Sequence, residues 1–227
     1  MPTDPRTALL DLIATLSFRL GDFTLASGQK SDYYIDCRTT TLHAEGGRLA
    51  GFVLLELIRE HMPHAVAVGG LTMGADPLVS ATSIASAWAL AEYVETQALV
   101  AELDILPDPG IDPEPEPEPA LIHGFLVRKA EKAHGTGRRI EGFLHPGAPV
   151  VIVDDVCTTG GSTITAIEAT REAGMHVAGV LCLVDREQGG RLNIERALAE
   201  VPSDTTPPFL SVYTASDVRR AHLALKK

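Results

Sequence analysis

Apolar and polar positions in this chain follow two different periods. Val150-Val151-Ile152-Val153 is an unbroken aliphatic run, the pattern of a strand buried on both faces. Ala65-Val66-Ala67-Val68, ending in Gly69-Gly70, reads as a second buried strand, and residues 124–128, 177–184 and 209–214 as three more. Between these runs the spacing becomes helical. From residue 45 to 60, Leu49, Phe52, Val53 and Leu57 recur on one helix face. Residues 5–19, 77–90 and 164–173 also predict helices, the last stopped by Gly174, and Ser216 is placed to cap a final one. Such alternation predicts an α/β fold with a mostly parallel sheet flanked by helices, which receives ligands at the carboxyl ends of its strands. Asp154-Asp155 and Gly69-Gly70 both fall at such ends.

Composition narrows the class. The 227 residues suit one domain with a substantial core, and 45% hydrophobic against 5% aromatic residues indicates an aliphatic interior. No apolar run is long enough to span a bilayer and no basic-then-apolar leader is recognisable, so neither membrane insertion nor export is expected. Cys37, Cys157 and Cys182 are widely spaced and form no Cys-x-x-Cys pair, in keeping with a reducing, cytoplasmic setting. Cys157, within a polar turn, is the thiol expected to be sensitive to oxidation. The net charge of −11 is concentrated: nine acids and no Lys or Arg lie between Ala91 and Pro119. That stretch ends in alternating Pro and Glu, which forbids helix and sheet. Residues 91–119 are therefore expected to be a flexible insertion looping out of a single domain spanning 1–227. No basic stripe with interleaved aromatics is present, so nucleic acid is not the expected ligand.

The strand at 150–155 carries the chemistry. Asp154 and Asp155 end it, and Val156, Cys157, Thr158, Thr159, Gly160, Gly161, Ser162 and Thr163 lead at once into a helix. Glycines allow close approach of backbone N–H groups to an anion, and a helix N-terminus adds unsatisfied donors and a positive dipole end. The loop suits a phosphate monoester, while the carboxylates suit sugar hydroxyls or a hydrated metal ion; a phosphorylated sugar satisfies both. No Gly-Lys-Ser/Thr follows, as a Walker A loop requires, and no Gly-x-Gly-x-x-Gly follows the strand. The run resembles the phosphoribosyl-pyrophosphate (PRPP) motif of type I phosphoribosyltransferases.

Two further segments sharpen that resemblance. Residues 128–139 hold Arg128, Lys129, Lys132, Arg138 and Arg139 against the single acid Glu131, with His134 able to titrate near neutrality. A basic loop of this kind suits a leaving pyrophosphate. Phe23-Thr24-Leu25-Ala26-Ser27-Gly28-Gln29-Lys30-Ser31-Asp32-Tyr33-Tyr34-Ile35-Asp36 is similar to the N-terminal signature of orotate phosphoribosyltransferases. That family also has an Arg-Lys-x-x-Lys-x-His-Gly-x-Gly loop, matched by Arg128, Lys129, Lys132 and His134, and an Asp-Arg-x-x-Gly, matched by Asp185 to Gly189. The resemblance implies a phosphoribosyltransferase sheet with a small N-terminal hood. It also implies transfer from PRPP to orotate, giving orotidine 5′-monophosphate and pyrophosphate on the route to UMP. Mg²⁺ is the implied cofactor, held mainly by PRPP and through water by Asp154 and Asp155.

By that resemblance Asp154 and Asp155 face the ribose and, with Lys132 and His134, form the catalytic set. Residues 156–162 bind PRPP, with 158–162 holding its 5′-phosphate; Arg128, Lys129, Lys132 and His134 serve the pyrophosphate. Tyr33, Tyr34, Lys30, Thr158 and Arg186 border orotate, with Arg186 on its carboxylate. A homodimer whose segment 128–139 reaches the neighbouring site is implied as well. Ala26 and Met73 stand where many family members have Lys, and Thr136 where some have Glu. A transferase for another base and a non-catalytic PRPP-binding regulator remain the alternatives.

Overall fold

The computed structural model describes residues 4–24, 30–103, 117–129, 139–200 and 206–226. Six strands form the main sheet in the order β5-β4-β3-β6-β7-β8. They are β3 (Ala67–Leu71), β4 (His123–Val127), β5 (Ile140–Gly142), β6 (Pro149–Cys157), β7 (His176–Asp185) and β8 (Phe209–Thr214). All pair in parallel except the short edge strand β5, which runs antiparallel to β4.

The unbroken aliphatic runs have a simple cause. On β6, Val151 and Val153 enter one core with Leu181 and Leu183 of β7, while Val150 and Ile152 enter the opposite core with Val180 and Cys182. Alternate side chains point to opposite faces, and both faces are covered. The first core is closed by α1 (Pro5–Leu12), α3 (Ala44–His61), α4 (Asp76–Glu102) and α7 (Ala215–Ala224). The second is closed by α5 (Gly161–Glu172) and α6 (Gly190–Ala199).

Above the carboxyl edge sits a hood, the antiparallel hairpin of β1 (Phe18–Thr24) and β2 (Lys30–Ile35). Phe18 and Ile35 root it in the first core, and Phe18 stacks on Tyr33 with centroids 5.5 Å apart. The short helix α2 (Arg38–Thr41) follows.

Several boundaries differ from the expected ones. The helix expected over 5–19 stops at Leu12, continues as a π-helical turn over Ile13–Ser17, and gives way to β1. Pairing of Phe18 with Ile35 and of Arg19 with Tyr34, a non-local contact, overrides the helical spacing. Strand β3 runs on through Gly69-Gly70, where the Phe125 ring packs on Gly69 and the Val153 carbonyl and Ala75 on Gly70. Helix α4 is 27 residues long and takes in the first part of the acidic stretch, to Glu102. Between Ala91 and Glu102 that stretch is rich in Ala, Leu, Glu and Gln and free of Pro and Gly, so nothing interrupts helical bonding. The Pro/Glu repeat lies mostly outside the described residues. Helix α6 was not anticipated, and Thr214 rather than Ser216 caps α7: its hydroxyl accepts from the Asp217 N–H, and Asp217 accepts from the Thr214 N–H.

Gly70→Ala sets a Cβ against Val153 O and the Ala75 methyl in mid-sheet. Overpacking there is expected to cost about 1–3 kcal/mol, read as a lower denaturation midpoint with an unchanged slope.

Candidate active site

Strand β6 ends by turning its last carboxylates into a cleft of about 870 Å³ at the sheet's carboxyl edge. Asp154 is buried there and serves as the hub of the turn. Its Oδ2 accepts from Ser162 Oγ at 2.8 Å and Thr163 Oγ1 at 2.6 Å, and its Oδ1 accepts from the Asp155 N–H at 3.0 Å. Burial raises its pKa despite the two hydroxyl donors. Asp155 faces the cleft, and burial together with the adjacent Asp154 charge pushes it up to about 6.

Between strand and helix the chain passes through Thr158, Thr159 and Gly160, where Gly160 takes the left-handed φ of 82°. A side chain there would be strained and would press on Ile194 and the Gly190 carbonyl of α6. Helix α5 then begins with no side-chain cap, so the N–H groups of its first turn face the cleft region without a protein cap. Thr158, Ser162 and Val156 line the cleft. Thr159 is tied down by Asn193, whose Nδ2 donates to its carbonyl at 3.0 Å. Cys157 turns inward: its side chain is buried beside Cys182, and only its backbone belongs to the loop. Burial thus removes the basis for expecting an oxidation-sensitive thiol there.

Strand β7 delivers Arg186 to the same cleft. Its guanidinium lies 4.8 Å from the Tyr33 ring centroid, and Nη2 donates to Ser31 Oγ at 3.4 Å. The residue is 6% exposed, its Nε is buried without an acceptor, and no carboxylate pairs with it among the described residues. A buried guanidinium without a counter-ion is costly, and an anionic ligand in the cleft offsets that cost.

The hood divides the two tyrosines. Tyr34 lines the cleft; Tyr33 lies beneath Arg186, sandwiched against Phe18. Lys30 stands outside the cleft, its Nζ donating to Thr24 Oγ1 at 2.9 Å across the exposed hairpin. The resemblance places Lys30 on orotate; in the fold its ammonium is taken up by Thr24 and the residue does not line the cleft. On the far wall lie Arg128 and Lys129, with Arg128 Nη1 3.3 Å from Glu141 Oε1. Lys132 and His134, as well as Ala26 and Thr136, lie outside the described residues. Leu71, Thr72, Met73 and Gly74 form a neighbouring wall, and the Thr72–Met73 peptide is cis.

Thr163, one of the loop's hydroxyl donors, gives its proton to Asp154. Sequence reasoning missed two contributors: Asp36 and Arg38 line the cleft as a forked ion pair with Nε and Nη2 each 2.8 Å from a carboxylate oxygen. The signal for the pair was present in Asp36-Cys37-Arg38, directly after the tyrosines.

Similarity to other proteins agrees with this geometry. The model of the phosphoribosyl transferase domain matches residues 130–199. An orotate phosphoribosyltransferase of Aquifex aeolicus is 40% identical over 194 residues, 84% of this chain and 89% of that protein. The chain belongs to the orotate phosphoribosyltransferase family. Among solved structures, a Mycobacterium tuberculosis orotate phosphoribosyltransferase bound to Fe(III) dicitrate superposes with a TM-score of 0.67 at 32% identity, covering 95% of this chain and 99% of that one. The same enzyme in complex with PRPP gives a TM-score of 0.64 at 29% identity, over 95% and 99%.

Asp155 has a higher pKa folded than unfolded, so it takes up its proton more readily in the native state. Stability from this group is present in acid and is lost as pH rises from the ordinary carboxylate range through about 6. Asp155→Asn is therefore expected to raise the melting temperature more near neutrality than at acid pH, which paired thermal melts across that range will measure.

Proposed function

We propose that this protein transfers the 5-phosphoribosyl group of PRPP to orotate, yielding orotidine 5′-monophosphate and pyrophosphate. The observation that carries the reading is Arg186, a buried cation without a carboxylate partner among the described residues, in the cleft that also holds Asp154, Asp155 and the open end of α5. A pyrimidine bearing a carboxylate supplies the missing counter-ion in bidentate form; purines and uracil do not. In the reaction a bond forms from the orotate ring nitrogen to C1 of the ribose as the C1–O bond to pyrophosphate breaks, and the ring nitrogen gives up its proton to water or to the departing pyrophosphate. Positive charge grows on the sugar and negative charge on the leaving group.

The protein's own residues position and stabilise. The α5 N-terminus with Thr158 and Ser162 holds the 5′-phosphate. Asp155, and Asp154 through its fixed network, face the ribose, where carboxylate charge favours the developing cation. Tyr34 borders the base. Segment 128–139, including Lys132 and His134, serves the pyrophosphate and excludes water.

Mg²⁺ fits this site as an ion that arrives with substrate. Among the described residues no group of three His, Cys, Asp or Glu could hold a metal, while Asp155 is one cleft-facing hard oxygen donor. Mg²⁺ keeps several waters and favours phosphate oxygens, and when bound it neutralises charge on the pyrophosphate. We also read the protein as a cytoplasmic homodimer with segment 128–139 reaching the neighbour's cleft. Leu42, Ile84 and Trp88 are exposed around one apolar groove, in which Thr41 Oγ1 and Asp76 Oδ1 are buried without partners among the described residues. A second copy would cover that face. The three thiols are free, and no described helix is long and apolar enough to cross a membrane.

The test is ultraviolet absorbance with PRPP and Mg²⁺, offering orotate beside hypoxanthine, adenine and uracil. Orotate alone should be consumed; turnover of another base would overturn the assignment of Arg186, and PRPP binding without any turnover would favour a regulator. Arg186→Lys should raise the orotate KM about tenfold to hundredfold with little change in the KM for PRPP, because an ammonium cannot form the forked contact.

A further inference from the structure

We infer that Arg38 binds the diphosphate of the substrate, as a preset cation on the wall of the cleft shared with Asp155 and Gly74. The inference rests on the proposed transfer from PRPP and assigns a residue to its leaving group.

Direction within the cleft comes first. In a ribose the two hydroxyl carbons lie between C1 and C4, so the C1 substituent and the 5′-phosphate leave the ring at opposite ends. With the hydroxyls at Asp155 and the 5′-phosphate at the α5 N-terminus, the C1 diphosphate points away from α5. The wall it meets is the one built from residues 71–74. A Cβ added to Gly74 would fall against the Asp155 carboxylate, which puts that loop directly beside the acid. Arg38 lines the same cleft, and its charge and that of Asp155 act on one another.

Charge comes second. A diphosphate concentrates several negative charges, and Leu71, Thr72, Met73 and Gly74 provide none of opposite sign. Of the cations lining the cleft among the described residues, Arg186 is buried over Tyr33, and Arg128 and Lys129 belong to the segment already assigned to the pyrophosphate. Lys129 stands at the border of the described residues.

Arg38 differs from these in being held for use. Asp36 accepts from its Nε and Nη2 at 2.8 Å each, and from its backbone N–H at 3.1 Å. That clamp occupies one edge of the guanidinium. Nη1 makes no hydrogen bond among the described residues, and the side chain keeps 45% of its exposure. A guanidinium already fixed by a carboxylate loses little further rotamer freedom when it takes a phosphate on its other edge.

Calorimetric titration of pyrophosphate, PRPP and orotidine 5′-monophosphate, each with Mg²⁺, into wild type, Arg38→Gln and Arg38→Lys will test the assignment. The Gln variant should bind pyrophosphate and PRPP about tenfold to hundredfold more weakly, the Lys variant should recover part of the loss, and the nucleotide, which lacks the diphosphate, should bind all three alike. Equal weakening for all ligands would reduce Arg38 to a structural partner of Asp36, and an unchanged pyrophosphate affinity would also overturn the inference. The two readings fail separately. Wild type that binds PRPP in an Arg38-dependent way but does not consume orotate loses only the base assignment. Wild type that binds neither PRPP nor pyrophosphate loses both.

Discussion

The carboxylate of Asp154 is the joint on which the site turns. It is buried at the end of the central strand and joined to the two hydroxyls of the following helix's first turn and to the next backbone N–H. The two hydroxyl contacts span the loop, so the distance from strand end to helix start is set by one carboxylate oxygen, Oδ2. A buried carboxylate is tolerated only with such donors, and their loss leaves the desolvation cost uncompensated. Holding Asp154 this way frees Asp155 to face the cleft and leaves the α5 N-terminus aimed at it. Of the two acids, Asp154 is the one fixed by the turn and Asp155 is the more open.

The second constraint is close approach. β3 passes Gly69 under the Phe125 ring and Gly70 under the Val153 carbonyl, while Gly74 lies against Asp155. These contacts bring the 71–74 wall near the end of β6, so the cleft is narrow enough for one ligand to meet both. On the other side, the hood reaches over through Tyr33, whose ring lies between Phe18 and the Arg186 guanidinium. A residue near the N-terminus and one late in the chain thereby share a single stack, and the hood's position is coupled to the site's buried cation.

Much of the site was legible because its residue types are costly without a role. Two adjacent acids at the end of an aliphatic strand, a Thr/Gly/Ser turn and a helix start point to a phosphorylated sugar from chemistry alone. Arg186 stood out through its motif, although its burial and lack of a counter-ion emerged only with the fold. Lys30 illustrates the opposite case: as a cation beside two tyrosines it was a natural ligand, yet its ammonium is taken up by Thr24 across the hairpin and it does not line the cleft. The Asp36–Arg38 pair went unnoticed, since an i, i+2 acid and base look like ordinary surface charge until both are seen in the cleft.

The sequence by itself determined the layered α/β plan, because unbroken apolar runs demand cover on both faces and strand–helix alternation demands a parallel sheet. It also determined the family through four motifs in order. Tertiary structure decided what depends on non-local pairing. The β1–β2 hairpin overrode a helical pattern, α4 carried the helix past the point where acidity suggested a break, and Thr214 took the cap from Ser216. It decided too which of several plausible side chains face the ligand. Facing depends on register and on the contacts that a turn makes with distant strands, and periodicity within one segment carries no information about either.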